Sequence, residues 1–271
     1  MKISAFLVTY NDTEYLEQTL TSVKEFADKL YIIEGSWKSA QESSGCSARS
    51  DKATFNIIDK FVDNKKIFLI QANEHRERDQ RQVGLELAKK DGAEWCYMFD
   101  SDEVYTKSSL ILLKHYLFNC SSGLLGYRIN SYNFINSFNK WYQGNYMRCY
   151  RVTPEAKFFM DNDCEWPDLK KFPELKQVIG QIPGYSFYHY NYVKLNKEAF
   201  IRKMKYQNEQ DPTFNIRMLP QYGFDEFKKE YKIPSGIRIY DFKGKHPAIM
   251  KSHPYFINNI YNDTNLNFLK E

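Results

Sequence analysis

The chain has 271 residues, of which 42% are hydrophobic, 27% charged and 17% aromatic. That balance excludes disorder as the main state and supplies enough length for a buried core without disulfides. Net charge is only +4, which gives no ground for a nucleic-acid partner. Cysteines 46, 96, 120, 149 and 164 contain no C-x-x-C pair, an odd set that suggests neither a zinc knuckle nor a disulfide framework and fits a reducing, cytoplasmic setting.

Met1 to Val8 passes directly into a short strand-like run, too short and wrongly flanked for a signal peptide. A helix with Leu16, Leu20, Val23 and Phe26 on one face follows, and Asn11 with Glu14 three residues later predicts a capping box at its start. Leu30 to Ile33 reads as a strand, Phe55, Ile58, Phe61 and Val62 as a helical face, and Lys66 to Ile70 as a third strand. Arg78 to Lys90 is helix-like, Asp91-Gly92 ends it, and Trp95 to Phe99 is a fourth strand. These βα repeats predict an α/β fold with a mostly parallel sheet flanked by helices, Rossmann-like in its first half.

The apolar run Leu110 to Leu113 is cut by Lys114, far below the roughly 20 residues needed to cross a bilayer. After residue 123 the text becomes aromatic and strand-like, and then a basic tail shows helical stretches near 197–208 and 224–231. Residues 190–271 hold 14 Lys/Arg against 9 Asp/Glu. We therefore divide the chain into a main domain, 1–190, and a basic helical extension, 191–271. Lys203, Lys205, Lys228 and Lys229 offer that extension a peripheral contact with an anionic membrane or acceptor, or a homodimer contact; a solvated face is the simpler use.

In parallel sheets ligands bind at the carboxyl ends of the strands. Here those ends carry Thr9-Tyr10-Asn11, Glu34-Gly35-Ser36, Ala72 to Arg78, and Asp100-Ser101-Asp102-Glu103. Asp100 and Asp102 need a compensating charge, which a hard divalent cation, Mg²⁺ or Mn²⁺, supplies while bridging to phosphates. The competing use is to cap the following helix.

At this point the chain resembles the family 2 glycosyltransferases, enzymes of GT-A fold that use nucleotide sugars. The likeness rests on Thr9-Tyr10-Asn11 after the first strand, on Tyr31-Ile32-Ile33-Glu34-Gly35-Ser36, on Asp79-Gln80-Arg81-Gln82-Val83-Gly84-Leu85, and on the D-x-D strand end Phe99-Asp100-Ser101-Asp102-Glu103. It covers residues 3 to 105 in order and continues loosely to His189. Glu34 stands where an Asp-Asp pair is common, and Gln82 where Asn is usual. The resemblance implies nucleotide contacts from Thr9, Tyr10, Asn11, Glu34, Arg81 and Asp100. It implies a metal held by Asp102 and Asp100, with His189 completing the shell. A histidine among aromatics also serves commonly as a packed, hydrogen-bonded side chain.

Inverting transfer needs a carboxylate that takes the acceptor proton. Glu165 is the first candidate and Asp163 the second, at about the family's distance past the D-x-D strand; Glu103 is placed to act there or to orient the donor sugar. Trp141, between Lys140 and Tyr142, is the aromatic side chain chosen for the acceptor, although such aromatic stretches more often pack between strands. The expected activity is metal-assisted transfer of a sugar from a nucleotide sugar, UDP-linked, to a glycan- or lipid-linked acceptor. Two rivals remain: a noncatalytic sugar-binding scaffold, and a haloacid-dehalogenase-type phosphatase with Asp100 as nucleophile. The latter also needs a later paired-acid strand end, and no Asp-Asp pair occurs.

Overall fold

The computed structural model describes residues 1–120, 123–158, 164–165, 179–193, 224–225, 230–231 and 237–257. The first half alternates as predicted: β1 (Ile3–Thr9), α1 (Leu16–Val23), β2 (Lys29–Glu34), α2 (Lys38–Ser44), α3 (Lys52–Ile58), β3 (Ile67–Gln71), α4 (Glu77–Lys90) and β4 (Trp95–Asp100). β5 (Glu103–Tyr105), α5 (Lys107–Phe118), β6 (Gly126–Ile135), β7 (Ser137–Arg151), β8 (Lys157–Phe158), β9 (Cys164–Glu165) and β10 (Ile179–Tyr192) follow. The described tail contributes β11 (Phe224–Asp225), β12 (Glu230–Tyr231), β13 (Tyr240–Asp241), a 3-10 turn at Ala248–Ser252 and α6 (Pro254–Ile257).

The main sheet runs β3-β2-β1-β4-β7-β6-β10-β5, with β13 on β7. β3, β2, β1 and β4 are parallel. Beyond β4 the expectation of a mostly parallel sheet fails, because β7 is antiparallel to both β4 and β6, and β5 is antiparallel to β10. The cause is the connection. β6 and β7 are separated only by Asn136, whose φ of 61° makes the reversal, and so short a link permits only antiparallel pairing. The sheet is therefore mixed.

Alternation along the strands fills both faces. Ala5, Leu7, Tyr97 and Phe99 pack with Leu16, Leu20, Val23 and Phe26 on one side, whereas Phe6, Ile33 and Met98 pack with Leu85 and Ala88 of α4 on the other. Helices on both faces explain why β1, β2 and β4 read as near-continuous apolar runs. α4 approaches β1 so closely that a Cβ on Gly84 would lie 2.3 Å from the Phe6 ring.

The capping box predicted for α1 does not form. α1 begins after Tyr15 with no side-chain cap. Asn11 instead turns at φ 48°, receives Asp51 N–H on its side-chain oxygen at 2.7 Å and donates its own N–H to Ser50 Oγ at 2.9 Å. Glu14 accepts from the Tyr255 hydroxyl at 2.8 Å. Of the two expected tail helices, 197–208 lies outside the described residues. In 224–231 the described ends are strands, β11 and β12, paired antiparallel. Residues 240–255 pack on the main sheet, where Met250 and Tyr255 join Tyr15, Phe134, Phe138 and Tyr190 in one buried cluster.

At the amino ends of the strands, Asp91 collects Lys29 Nζ at 2.5 Å, Tyr31 Oη at 2.7 Å and Ser4 Oγ at 2.9 Å. Burial pushes its carboxyl up, but these bonds outweigh burial and hold it below its ordinary value. A depressed carboxyl contributes stability above its unfolded pKa and loses that contribution as pH falls through its folded pKa. Urea unfolding should therefore show wild type clearly more stable than Asp91→Asn at pH 7, with the gap closing below about pH 4. Gly84→Ala should cost about 1–3 kcal/mol in the same assay, since the added methyl overfills the α4–β1 contact by more than its helix propensity returns; an unchanged midpoint would contradict that packing.

Candidate active site at the acidic strand end

β1 is followed by β2 and β3 on one side, and the chain then returns to place β4 on the other. The order reverses between β1 and β4, and the crevice outside the carboxyl ends of such a pair is where open α/β sheets bind ligands. Thr9 to Asp12 leave from β1, and Asp100 to Glu103 from β4. The two loops are joined: Ser101 Oγ donates to Asp12 Oδ2 at 2.5 Å, and Thr19 Oγ1 donates to the Ser101 carbonyl at 2.8 Å. Asp100 and Asp102 do not cap α5, whose N-terminus is closed by Thr106 and Ser109 in a capping box.

Asp100 retains 25% side-chain exposure. One oxygen faces Arg81 Nη2 at 3.2 Å and the other receives Arg148 Nη2 at 2.6 Å. Glu103 is fully buried; its Oε1 accepts from Arg148 Nε at 3.0 Å and Nη2 at 2.6 Å, and its Oε2 from Tyr105 Oη at 2.9 Å. Burial raises the Glu103 carboxyl, with Arg148 opposing. Burial also lifts Asp100, but there Arg148 and Arg81 prevail and keep it low. Arg81, itself buried, pairs with Glu77 as well.

Asp102 is buried and turns toward His189, Oδ1 to Nε2 at 3.0 Å. His189 Nδ1 lies 3.1 Å from Asn133 Oδ1, which Ser131 Oγ also approaches at 2.7 Å, while Asn133 Nδ2 reaches Tyr146 Oη at 2.9 Å. With Asn133 so oriented, Nδ1–H donates to it, and Nε2 faces a carboxylate oxygen. Each ring nitrogen of His189 thus faces a side-chain oxygen.

Asp100, Glu103 and His189 bring one ligand atom each to within 4.8 Å of one another. This differs from the predicted set, in which Asp102 accompanies Asp100 and Glu103 stands apart. Two hard oxygens and an imidazole supported through its other nitrogen suit Mn²⁺ or a similar divalent ion. The residues therefore fit a metal. Arg148 and Arg81 already supply Asp100 with compensating positive charge, the part expected of a divalent metal ion.

The other expected site residues are distributed as follows. Thr9 is buried at the β1 end, and its Oγ1 has no hydrogen-bond partner; Gln80 Oε1 is buried without one too. Tyr10 and Asn11 are half-buried on the same loop. Glu34 is fully buried, with Oε1 taken by Ser50 N–H at 2.7 Å and Oε2 facing Arg49 Nη1 at 3.3 Å. Gly35 follows at φ 139°, where a Cβ would meet the Ala72 carbonyl oxygen at 2.2 Å. Trp141 packs edge-on against Tyr132 and tilts over Tyr240, 4.8 and 5.4 Å between centroids. Glu165 lies on β9 opposite Lys157; Asp163 lies outside the described residues.

Arg148 is the residue that sequence reasoning missed. In sequence it is one of two arginines in Arg148-Cys149-Tyr150-Arg151, and its guanidinium sits over the rings of Tyr146 and Phe187 at 4.9 and 5.9 Å.

No family model matches the chain, and no curated protein does. Among solved structures, the chain is similar to S. aureus TarS 1-349 at 14% identity and a TM-score of 0.43, over 84% of this chain and 77% of that one. A further TarS structure matches at 13% identity and a TM-score of 0.45; the chain spans 45% of its length and aligns over 84% of its own. A third, 4-diphosphocytidyl-2C-methyl-D-erythritol synthase from Anaerococcus prevotii, matches at 13% identity and a TM-score of 0.42, over 76% of this chain and 96% of that one.

Arg148→Met should destabilise the fold by about 3–5 kcal/mol in urea, because it strands Asp100 and Glu103 without their shared partner. Added Mn²⁺ should restore part of that loss. A change below about 1 kcal/mol would mean the pair is solvated like an exposed one.

Proposed function

We propose that the chain is a metal-assisted glycosyltransferase that moves a sugar from a nucleotide sugar, UDP-linked, to a glycan- or lipid-linked acceptor with inversion. The observation that carries this reading is the placement of Asp100, Glu103 and His189 at the crevice where the strand order reverses. In this reading these three side chains would hold Mn²⁺ or Mg²⁺, with Asn133 orienting the imidazole through Nδ1 and Asp102 releasing Nε2 to the ion. When bound, the ion supplies charge that stabilises the departing nucleoside diphosphate.

The chain's own groups do the rest. Arg81 and Arg148 keep Asp100 ionised, and so keep it fit to ligate. Thr9, Tyr10 and Asn11 are assigned to the nucleoside side of the donor. Glu34 would reach a nucleobase only by releasing Arg49, the more exposed of its two partners. For the proton-accepting carboxylate we retain Glu165, with Asp163 beside it in sequence, and we assign Trp141 to one edge of an acceptor site.

A scaffold that merely binds sugars has no use for a nucleoside diphosphate at this crevice. UDP should therefore raise the melting temperature in the presence of Mn²⁺ and not in EDTA, by an amount equivalent to about 2.7 kcal/mol at a hundredfold excess over Kd. Asp100→Asn should abolish the shift. Equal stabilisation with and without metal, or none with any nucleoside diphosphate, would contradict the proposal.

A further inference from the structure

α5 buries Leu110, Leu113 and Leu117 against the sheet, yet its outward face is not wholly polar. Ile111 and Phe118, seven residues and two turns apart, lie on one outward stripe and are 60% and 71% exposed; Leu112 beside them is 40% exposed. Half of the large apolar side chains exposed among the described residues thus belong to this one helix. Exposed apolar groups gathered this way mark an interaction surface, whereas single scattered ones do not.

Charge indicates what covers it. Lys107, Lys114 and His115 share the outward face with Ile111 and Phe118, and neither Asp nor Glu occurs anywhere from Val104 to Pro154. The adjoining surface continues the sign: Lys114 Nζ reaches the Glu25 carbonyl at 3.4 Å, and Glu25 is the acidic neighbour of Lys24, Lys66 and Lys114, its carboxylate paired with Lys66 at 2.6 Å. A second copy of this chain would set like charges against each other across such a face. An anionic bilayer surface is complementary to it on both counts, taking apolar side chains at the acyl boundary and lysines at the headgroups.

We infer that α5 docks the protein onto an anionic lipid surface through Ile111, Leu112 and Phe118, with Lys107 and Lys114 at the headgroup level. None of these side chains belongs to the acidic cluster, and the inference stands whatever reaction the crevice performs. It also places membrane contact on a helix of the main domain; the tail lysines considered from sequence lie outside the described residues.

Sedimentation of the full chain with phosphatidylglycerol–phosphatidylcholine vesicles tests it. Binding is expected to the mixed vesicles, to be at least about tenfold weaker to pure phosphatidylcholine, and to fall at least about tenfold in Ile111→Ser/Phe118→Ser, whose melting temperature should match wild type because both side chains are exposed. Lys107→Glu/Lys114→Glu should lose binding to the anionic vesicles by a similar factor. Unaltered binding in the Ile111/Phe118 variant, or no binding by wild type, would overturn the inference. So would a wild-type dimer in solution that the Ile111/Phe118 substitutions convert to monomer, since a second copy would then be the occupant.

Discussion

The guanidinium of Arg148, buried among rings and shared between Asp100 and Glu103, is the interaction on which the acidic strand end depends. Three ionisable side chains sit there with little water, and each alone would be costly to bury. Held together, they let Asp100 stay charged at the rim while Glu103 is fixed from below by Arg148 and Tyr105. The interaction exists because β7 runs antiparallel beside β4, bringing a residue from a late strand next to the end of an early one. A wholly parallel sheet would have sent that neighbour elsewhere.

The same bond sets how a cation can be held. An ion at Asp100, Glu103 and His189 would share its carboxylates with guanidiniums, so binding must compete with an existing ion pair. That arrangement tunes affinity downward and leaves room for a phosphate-bearing ligand to tip the balance, since the ligand contributes oxygens and negative charge of its own. Asn133 holds the imidazole at Nδ1, so the ring keeps its orientation when Nε2 exchanges Asp102 for an ion.

Much of the first half was legible because helices cover both sheet faces, making β1, β2 and β4 continuous apolar runs, while α4 carries a clear 3.6-residue period. The direction of the later strands was not legible, since aromatic text looks the same in parallel and antiparallel pairing; Asn136 decides it at the hairpin. Asn11 and Glu14 matched a capping-box spacing, yet both side chains are drawn to distant partners, Asp51 and Tyr255, which spacing cannot reveal. The carboxyl-end rule found Asp100 and Glu103. It could not find Arg148, because a long side chain on another strand crosses the site only once the sheet is assembled. Trp141 packs against Tyr132 and Tyr240.

The most direct measurement is anomalous diffraction from a crystal of the wild-type protein soaked in Mn²⁺ with UDP. The account predicts one strong peak within coordination distance of Asp100, Glu103 and His189, about 2.1–2.3 Å from each ligand atom. Density showing the nucleotide elsewhere, or Arg148 still spanning both carboxylates with no anomalous peak beside them, would contradict it.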